Sequence, residues 1–137
     1  MALNSINPTQ TKAWDKLKDH FEAIKADHMK TWFEQNPGRA DEFTIKWDDF
    51  YVDFSKNRMT SETMQLFKEL AEEIKLKDAV SSYFEGDTIN QTEGRAVMHT
   101  ALRAPENSKI LVDGVNVIPE IYKVKALMKN FSDAIIN

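Results

Sequence analysis

Apolar side chains recur at three- and four-residue steps along most of this chain, and the step shortens to two only between Phe43 and Phe54. The first period stacks side chains along one face of a helix, and the second sets them on one face of a strand. The chain is therefore expected to be mostly α with one small β-hairpin.

Asn7 ahead of Pro8 has the chemistry of a helix start, and Trp14, Leu17, Phe21 and Ile24 follow on one face, which predicts a helix over 8–25. A shorter helical stretch over 28–34 carries Met29, Trp32 and Phe33 and is interrupted by Asn36-Pro37-Gly38. Phe43, Ile45 and Trp47, then Phe50, Val52 and Phe54, alternate with polar residues around Asp48-Asp49, as the two arms of a hairpin would. Thr60 can cap the next helix, with Glu62 in its first turn and Met64, Phe67, Leu70, Ala71 and Ile74 on its buried face, Phe67 at the centre.

A helix over 77–84 should stop at Gly86. Asn90 and Glu93 have the spacing of a capping box, which predicts a helix over 91–102 closed by Pro105. After an extended piece at 109–112 and a turn at Asp113-Gly114, Pro119 opens a last helix with Ile121, Val124, Leu127, Met128, Phe131 and Ile135 on one face.

The 137 residues are the size of one domain, and 42% hydrophobic against 29% charged residues is a balance that folds rather than one that stays disordered. A net charge of -4, with no basic run able to neutralise a series of phosphates, argues against nucleic acid as a partner. There is no cysteine, so neither disulfides nor a thiolate metal site can form. The polar start, Met1 to Pro8, has neither the apolar run of a secretion signal nor that of a membrane helix, so no membrane contact and a cytoplasmic location are expected.

Three separated stretches carry a family resemblance. The first is Asp53-Phe54-Ser55-Lys56-Asn57, followed by Glu62-Thr63-Met64 and Leu70-Ala71. The second and most specific is Ile89-Asn90-Gln91-Thr92-Glu93-Gly94-Arg95-Ala96-Val97-Met98-His99-Thr100-Ala101-Leu102-Arg103, and the third is Ile110-Leu111-Val112-Asp113-Gly114 with Val117-Ile118-Pro119-Glu120. In content and order they resemble the glucose-6-phosphate isomerase family, with Met98 where leucine is more usual and Gln91 at a position the family varies.

The resemblance implies the amino-terminal helical part of the α/β sugar isomerase fold, truncated. It also implies an enzyme without cofactor or metal, in which a glutamate moves a proton between C1 and C2 of a sugar phosphate through an enediol. The family's histidine, lysine, Gly-Arg pair and Ser/Thr-rich phosphate loop have no match here, and its Gly-Gly-Ser segment lies beyond the equivalent of Asn137. The chain is thus expected to contain no catalytic, substrate-binding or metal residue and to be inert alone. A sugar phosphate, the remainder of the enzyme chain and a homodimer partner belong to the full-length protein. The alternative is a stand-alone helical interaction module that shares ancestry with the enzyme.

Several residues nonetheless invite a functional reading. Arg95, His99 and Arg103 are spaced to form one stripe on the predicted helix, a pattern that would suit support of an active site; with Glu93 adjacent and no glycine-rich loop nearby, ion pairing, loop capping or exposure to solvent are the preferred roles. His20, His28 and His99 lack metal-ligand spacing and are expected to be exposed or locally hydrogen-bonded. Lys56 is a candidate for reaching an anion, but Ser55 and Asn57 beside it suit a turn, which is the preferred role. Glu34, Asp41, Glu42, Asp48 and Asp49 read as solvated surface, and Trp14, Trp32 and Trp47 as core or interface anchors rather than a sugar platform.

Overall fold

Thr11 sets the start of the first long helix. Its backbone is extended, with φ −90 and ψ 154, and its hydroxyl accepts the Trp14 N–H at 3.2 Å. Helix α1 therefore spans Lys12–Ile24, and Pro8–Gln10, where the predicted helix was to begin, is a separate 3-10 turn capped by Asn7. The computed structural model describes residues 6–136, which form two units, residues 6–74 and 75–136.

In the first unit α1 is followed by α2 (Met29–Gln35), α3 (Arg39–Glu42), β1 (Thr44–Trp47), β2 (Phe50–Asp53) and α4 (Ser61–Glu73). β1 and β2 pair antiparallel from Thr44↔Asp53 to Trp47↔Phe50, with Asp48 at φ 49 in the turn, as the alternating pattern predicted. Ile45, Val52, Trp47 and Phe50 share one face and are all exposed.

Helices α1 and α4 run antiparallel. Glu73 reaches Lys12 and Ala13, Glu69 reaches Lys16 at 2.7 Å, and Thr63 reaches His20, so the contacts climb one helix as they descend the other. Thr60 caps α4 as expected, and Thr63 completes a reciprocal capping box with it. The buried face of α4 is centred on Thr63 and Leu66, however, and Phe67 is 44% exposed. The predicted phase was off by about one residue, because α4 turns its threonine cap as well as its apolar side chains toward α1.

In the second unit α5 (Leu76–Glu85) ends at Gly86, where an added Cβ would sit 2.6 Å from the Leu111 carbonyl. No helix forms over 91–102. Asn90 Oδ1 accepts the Glu93 N–H, the first bond of a capping box, but the Asn90 backbone N–H goes to the Arg95 carbonyl, the Glu93 carboxylate accepts from Asn90 Nδ2 instead, and the turn so closed pairs Asn90 with Arg95 as a β-bridge. Gly94 lies at φ +65, in the left-handed region that no α-helix can continue through. Only the 3-10 turn Ala101–Arg103 remains of the predicted helix.

β3 (Leu111–Val112) and β4 (Val115–Asn116) make a second, minimal hairpin around Asp113-Gly114 beyond the one the sequence showed. Asn116 Oδ1 accepts the Ile110 N–H at 3.1 Å and the Ile118 N–H at 3.3 Å, joining this hairpin to the start of α6 (Ile118–Ile136). Ile118 and Ala101 are fully buried, and α6 is fastened further by Tyr122 Oη donating to the Ala104 carbonyl and Lys125 Nζ to that of Leu102. Among the described residues no helix is long and apolar enough to cross a membrane.

Candidate functional site

The segment 90–103 was the strongest sequence candidate, and it borders a groove of about 500 Å³ lined by Asn90, Arg95, Met98, His99, Leu102 and Ile121, among others. Without a helix the basic stripe does not exist. Arg95 turns to Glu93, with Nη2 2.5 Å from the carboxylate, and both side chains are largely exposed. Arg103 Nη1 donates to the His99 carbonyl at 3.1 Å. His99 itself is exposed. Arg95 and His99 thus share a groove wall, while Arg103 closes the local backbone.

In the first unit, a groove of about 550 Å³ lies along α1 and α4 and is lined chiefly by Trp14, Leu17, Phe21, Ile24 and Phe67, with Arg58 among its polar residues. His20 also borders it but is buried, its Nε2 2.7 Å from Thr63 Oγ1 and 3.3 Å from Thr60 Oγ1. The expectation of an exposed or locally bonded side chain fails for His20, because its partners lie 43 and 40 residues away. It holds for His28, whose Nδ1 accepts the Lys30 N–H at 3.2 Å.

Lys56 is exposed. The turn beside it is held by Asp53, which accepts the Ser55 N–H at 2.8 Å. Bonds from the Ser55 hydroxyl and then the Ser55 N–H hold the Asp53 carboxyl below its ordinary value. Of the acidic residues, Asp41, Asp48 and Asp49 are exposed, and Glu34 faces Lys30 at 3.6 Å. Glu42 accepts from the Ser61 hydroxyl and from Asn36 Nδ2, bonds that lower its pKa in that order. The tryptophans lie apart: Trp14 in the α1 groove, Trp32 buried beside Arg39, and Trp47 exposed and stacked on Phe50 at 5.5 Å.

Sequence reasoning missed Arg39. It is 3% exposed, and it donates from Nε to the Ser55 carbonyl at 2.8 Å and from Nη2 to those of Asn57 and Met59 at 3.0 and 2.8 Å. The faces of Phe43, Trp32 and Phe33 surround its guanidinium, with centroids at 4.4, 5.2 and 5.6 Å. The available signal was a lone arginine between aromatic pairs, ahead of a loop rich in carbonyls left unpaired by strand or helix. Arg58 was also missed; its Nη2 donates to the Lys25 and Asp27 carbonyls just past the end of α1.

Among the described residues no cluster of histidine and carboxylate side chains has the makings of a metal site. The family model for phosphoglucose isomerase matches residues 53–137. The chain belongs to the phosphoglucose isomerase family. It is 53% identical over 135 residues to a glucose-6-phosphate isomerase of Christiangramia forsetii, covering 98% of this chain and 25% of that protein. Proteins of the same name from Nitrosospira multiformis and Gloeobacter violaceus are 47% and 42% identical over 127 residues, each covering 93% of this chain and 23% of the relative. The chain thus spans about a quarter of the length of these curated relatives.

Within this phosphoglucose isomerase segment the stretches that carry the resemblance have local structural work. Asp53–Asn57 supplies the carbonyls that hold Arg39, and Ile89–Arg103 forms the bridged turn and the 3-10 turn against α6. Ile110 to Pro119 forms the second hairpin and the start of α6.

Proposed function

We propose that this chain is the amino-terminal part of an isomerase that interconverts glucose 6-phosphate and fructose 6-phosphate, and that the 137 residues alone do not catalyse the reaction. The observation that carries the reading is 53% identity across 98% of the chain to a glucose-6-phosphate isomerase of which it covers only a quarter. A cytoplasmic location, a sugar phosphate substrate and a homodimeric full-length enzyme go with this reading.

Moving a proton between C1 and C2 requires a base poised near neutral pH and positive charge waiting at the enediolate oxygen. Glu42, Asp53 and Glu73 have pKa values lowered by hydrogen bonds, which makes them weaker bases. Arg39 and Arg58 spend their donors on backbone carbonyls. The role proposed for this part is a scaffold: α1 and α4 clamped at both ends, and a second unit that presents α6.

A coupled assay with the purified 137-residue chain tests the inactivity, with no turnover expected; turnover that scales with chain concentration and survives repurification would overturn it. Sequencing past the Asn137 codon tests the isomerase reading. An open frame with the family's Gly-Gly-Ser segment and later glutamate, histidine and lysine is expected, and an immediate stop codon would count against it.

A further inference from the structure

The turn between β3 and β4 consists of Asp113 and Gly114 alone, at φ 50 and 79. Asp113 is exposed, and among the described residues its carboxylate has no hydrogen bond or ion pair. A Cβ built on Gly114 would meet nothing within 4 Å, so that side of the residue is open to solvent. We propose that Asp113 is a site of spontaneous isoaspartate formation, and that the conversion loosens the start of α6.

The chemistry needs only water. The Gly114 amide nitrogen gives its proton to solvent and attacks Cγ of the protonated Asp113 carboxyl. A C–N bond forms, the carboxyl hydroxyl leaves as water, and a five-membered succinimide results. Water then adds to one of the two ring carbonyls. Opening beside Cγ restores aspartate, whereas opening at the α-carbonyl leaves the main chain running through Cβ and Cγ, with no net gain or loss of atoms. Glycine favours the attack because no side chain shields its nitrogen.

The first hairpin supplies an internal comparison. Asp48 is likewise exposed and at positive φ, but the residue after it is Asp49, whose Cβ hinders approach to the nitrogen. The structural consequence is also specific to the second hairpin. Isoaspartate adds one carbon to the main chain of a two-residue turn, and the ladder it must preserve has only the pairs Leu111↔Asn116 and Val112↔Val115. Shifting Asn116 removes the acceptor that holds the Ile110 and Ile118 N–H groups.

The test is to age the chain at 37 °C in mildly acidic buffer, digest it with trypsin, then label isoaspartate in the peptides with a methyl group from protein isoaspartyl methyltransferase and separate them at acidic pH, where the ester persists. Label is expected to accumulate in the peptide 110–123 and to stay at background in 47–56, and Asp113→Glu should reduce the 110–123 signal to background. An unlabelled 110–123 peptide, or equal labelling of 47–56, would overturn the site. Hydrogen exchange of the aged chain gives the second readout: faster exchange around Ile118 to Tyr122 is expected, and unchanged exchange in the labelled fraction would overturn the loosening.

Discussion

Nε2 of His20 on α1 lies 2.7 Å from Oγ1 of Thr63 on α4, so a side chain of one helix completes the cap of its antiparallel neighbour. Thr63 Oγ1 also accepts the Thr60 N–H at 2.9 Å, and His20 Nδ1 faces the Glu62 carboxylate at 3.5 Å. His20→Ala would leave the buried Thr63 hydroxyl short of a partner, at an expected cost of about 2 kcal/mol. His99→Ala, at an exposed side chain, should change stability by less than about 0.5 kcal/mol. Urea melts of the two variants check the contrast, and equal midpoints would mean that the cap is not shared.

The other end of the helix pair predicts a pH dependence. Glu73 accepts the Ala13 and Lys12 N–H groups at 2.9 and 3.0 Å, and these two bonds, in that order, hold its carboxyl below the ordinary 4.5. A carboxyl whose folded pKa is lowered contributes stability above its unfolded value and loses it as pH falls through the folded one. The contribution should therefore be complete above pH 4.5 and fade below it. In thermal melts across that window, Glu73→Gln should flatten the acid limb; a limb of unchanged steepness would exclude Glu73 as a contributor.

Arg39 should not tolerate lysine. The planar fork reaches three carbonyls at once while its face lies on Phe43, a geometry that a single ammonium cannot reproduce. Arg39→Lys is expected to cost about 3 kcal/mol, the range for losing hydrogen bonds to a charged group. Calorimetry checks this, and a melting temperature within error of the parent would show that the loop at 55–59 is held by something else.

On α4 the structure shifts the expected weak point from Phe67 to Leu66. Leu66 is 7% exposed, and its truncation should cost about 3 kcal/mol through lost burial and the cavity left behind. Phe67, on the margin of the buried face, should cost clearly less, and Lys68→Ala should be nearly neutral. Denaturant melts in which Phe67→Ala is the more damaging would restore the phase read from the sequence.

The sequence was legible where a residue's partners lie within one or two turns. Thr60 as a cap, Gly86 as a stop and the alternation about Asp48-Asp49 are all local, and each was found in its place. The failures share a different cause. Asn90 Oδ1 accepts the Glu93 N–H in this turn just as it would in a helix cap, and the outcome rests on Gly94, which adopts a left-handed conformation. Reading a basic stripe in Arg95, His99 and Arg103 inherited that error. Arg39, Arg58 and His20 take partners 16 to 43 residues away, a pairing that depends on the packing of α1 with α4 and on the loop after β2.

Helix α6 carries the last prediction. Leu127, Met128, Phe131 and Ile135 lie three, four, seven and eleven residues beyond Val124, the spacing that puts them on one face of a helix. They are 45%, 61%, 64%, 69% and 68% exposed, against complete burial of Ile118 at the start of the same helix. A contiguous apolar stripe of this kind is more than scattered surface hydrophobicity, and patches beyond a few hundred Å² tend to recruit a partner. With the chain alone in solution, the complementary surface at hand is the same stripe on a second copy. Sedimentation velocity should therefore show association that grows with concentration. Phe131→Asp, in the middle of the exposed part, should weaken it while leaving the melting temperature nearly unchanged, since Phe131 is mostly exposed in the single chain. A parent chain that sediments as a monomer at every concentration, or an association indifferent to Phe131→Asp, would rule out this face as the contact.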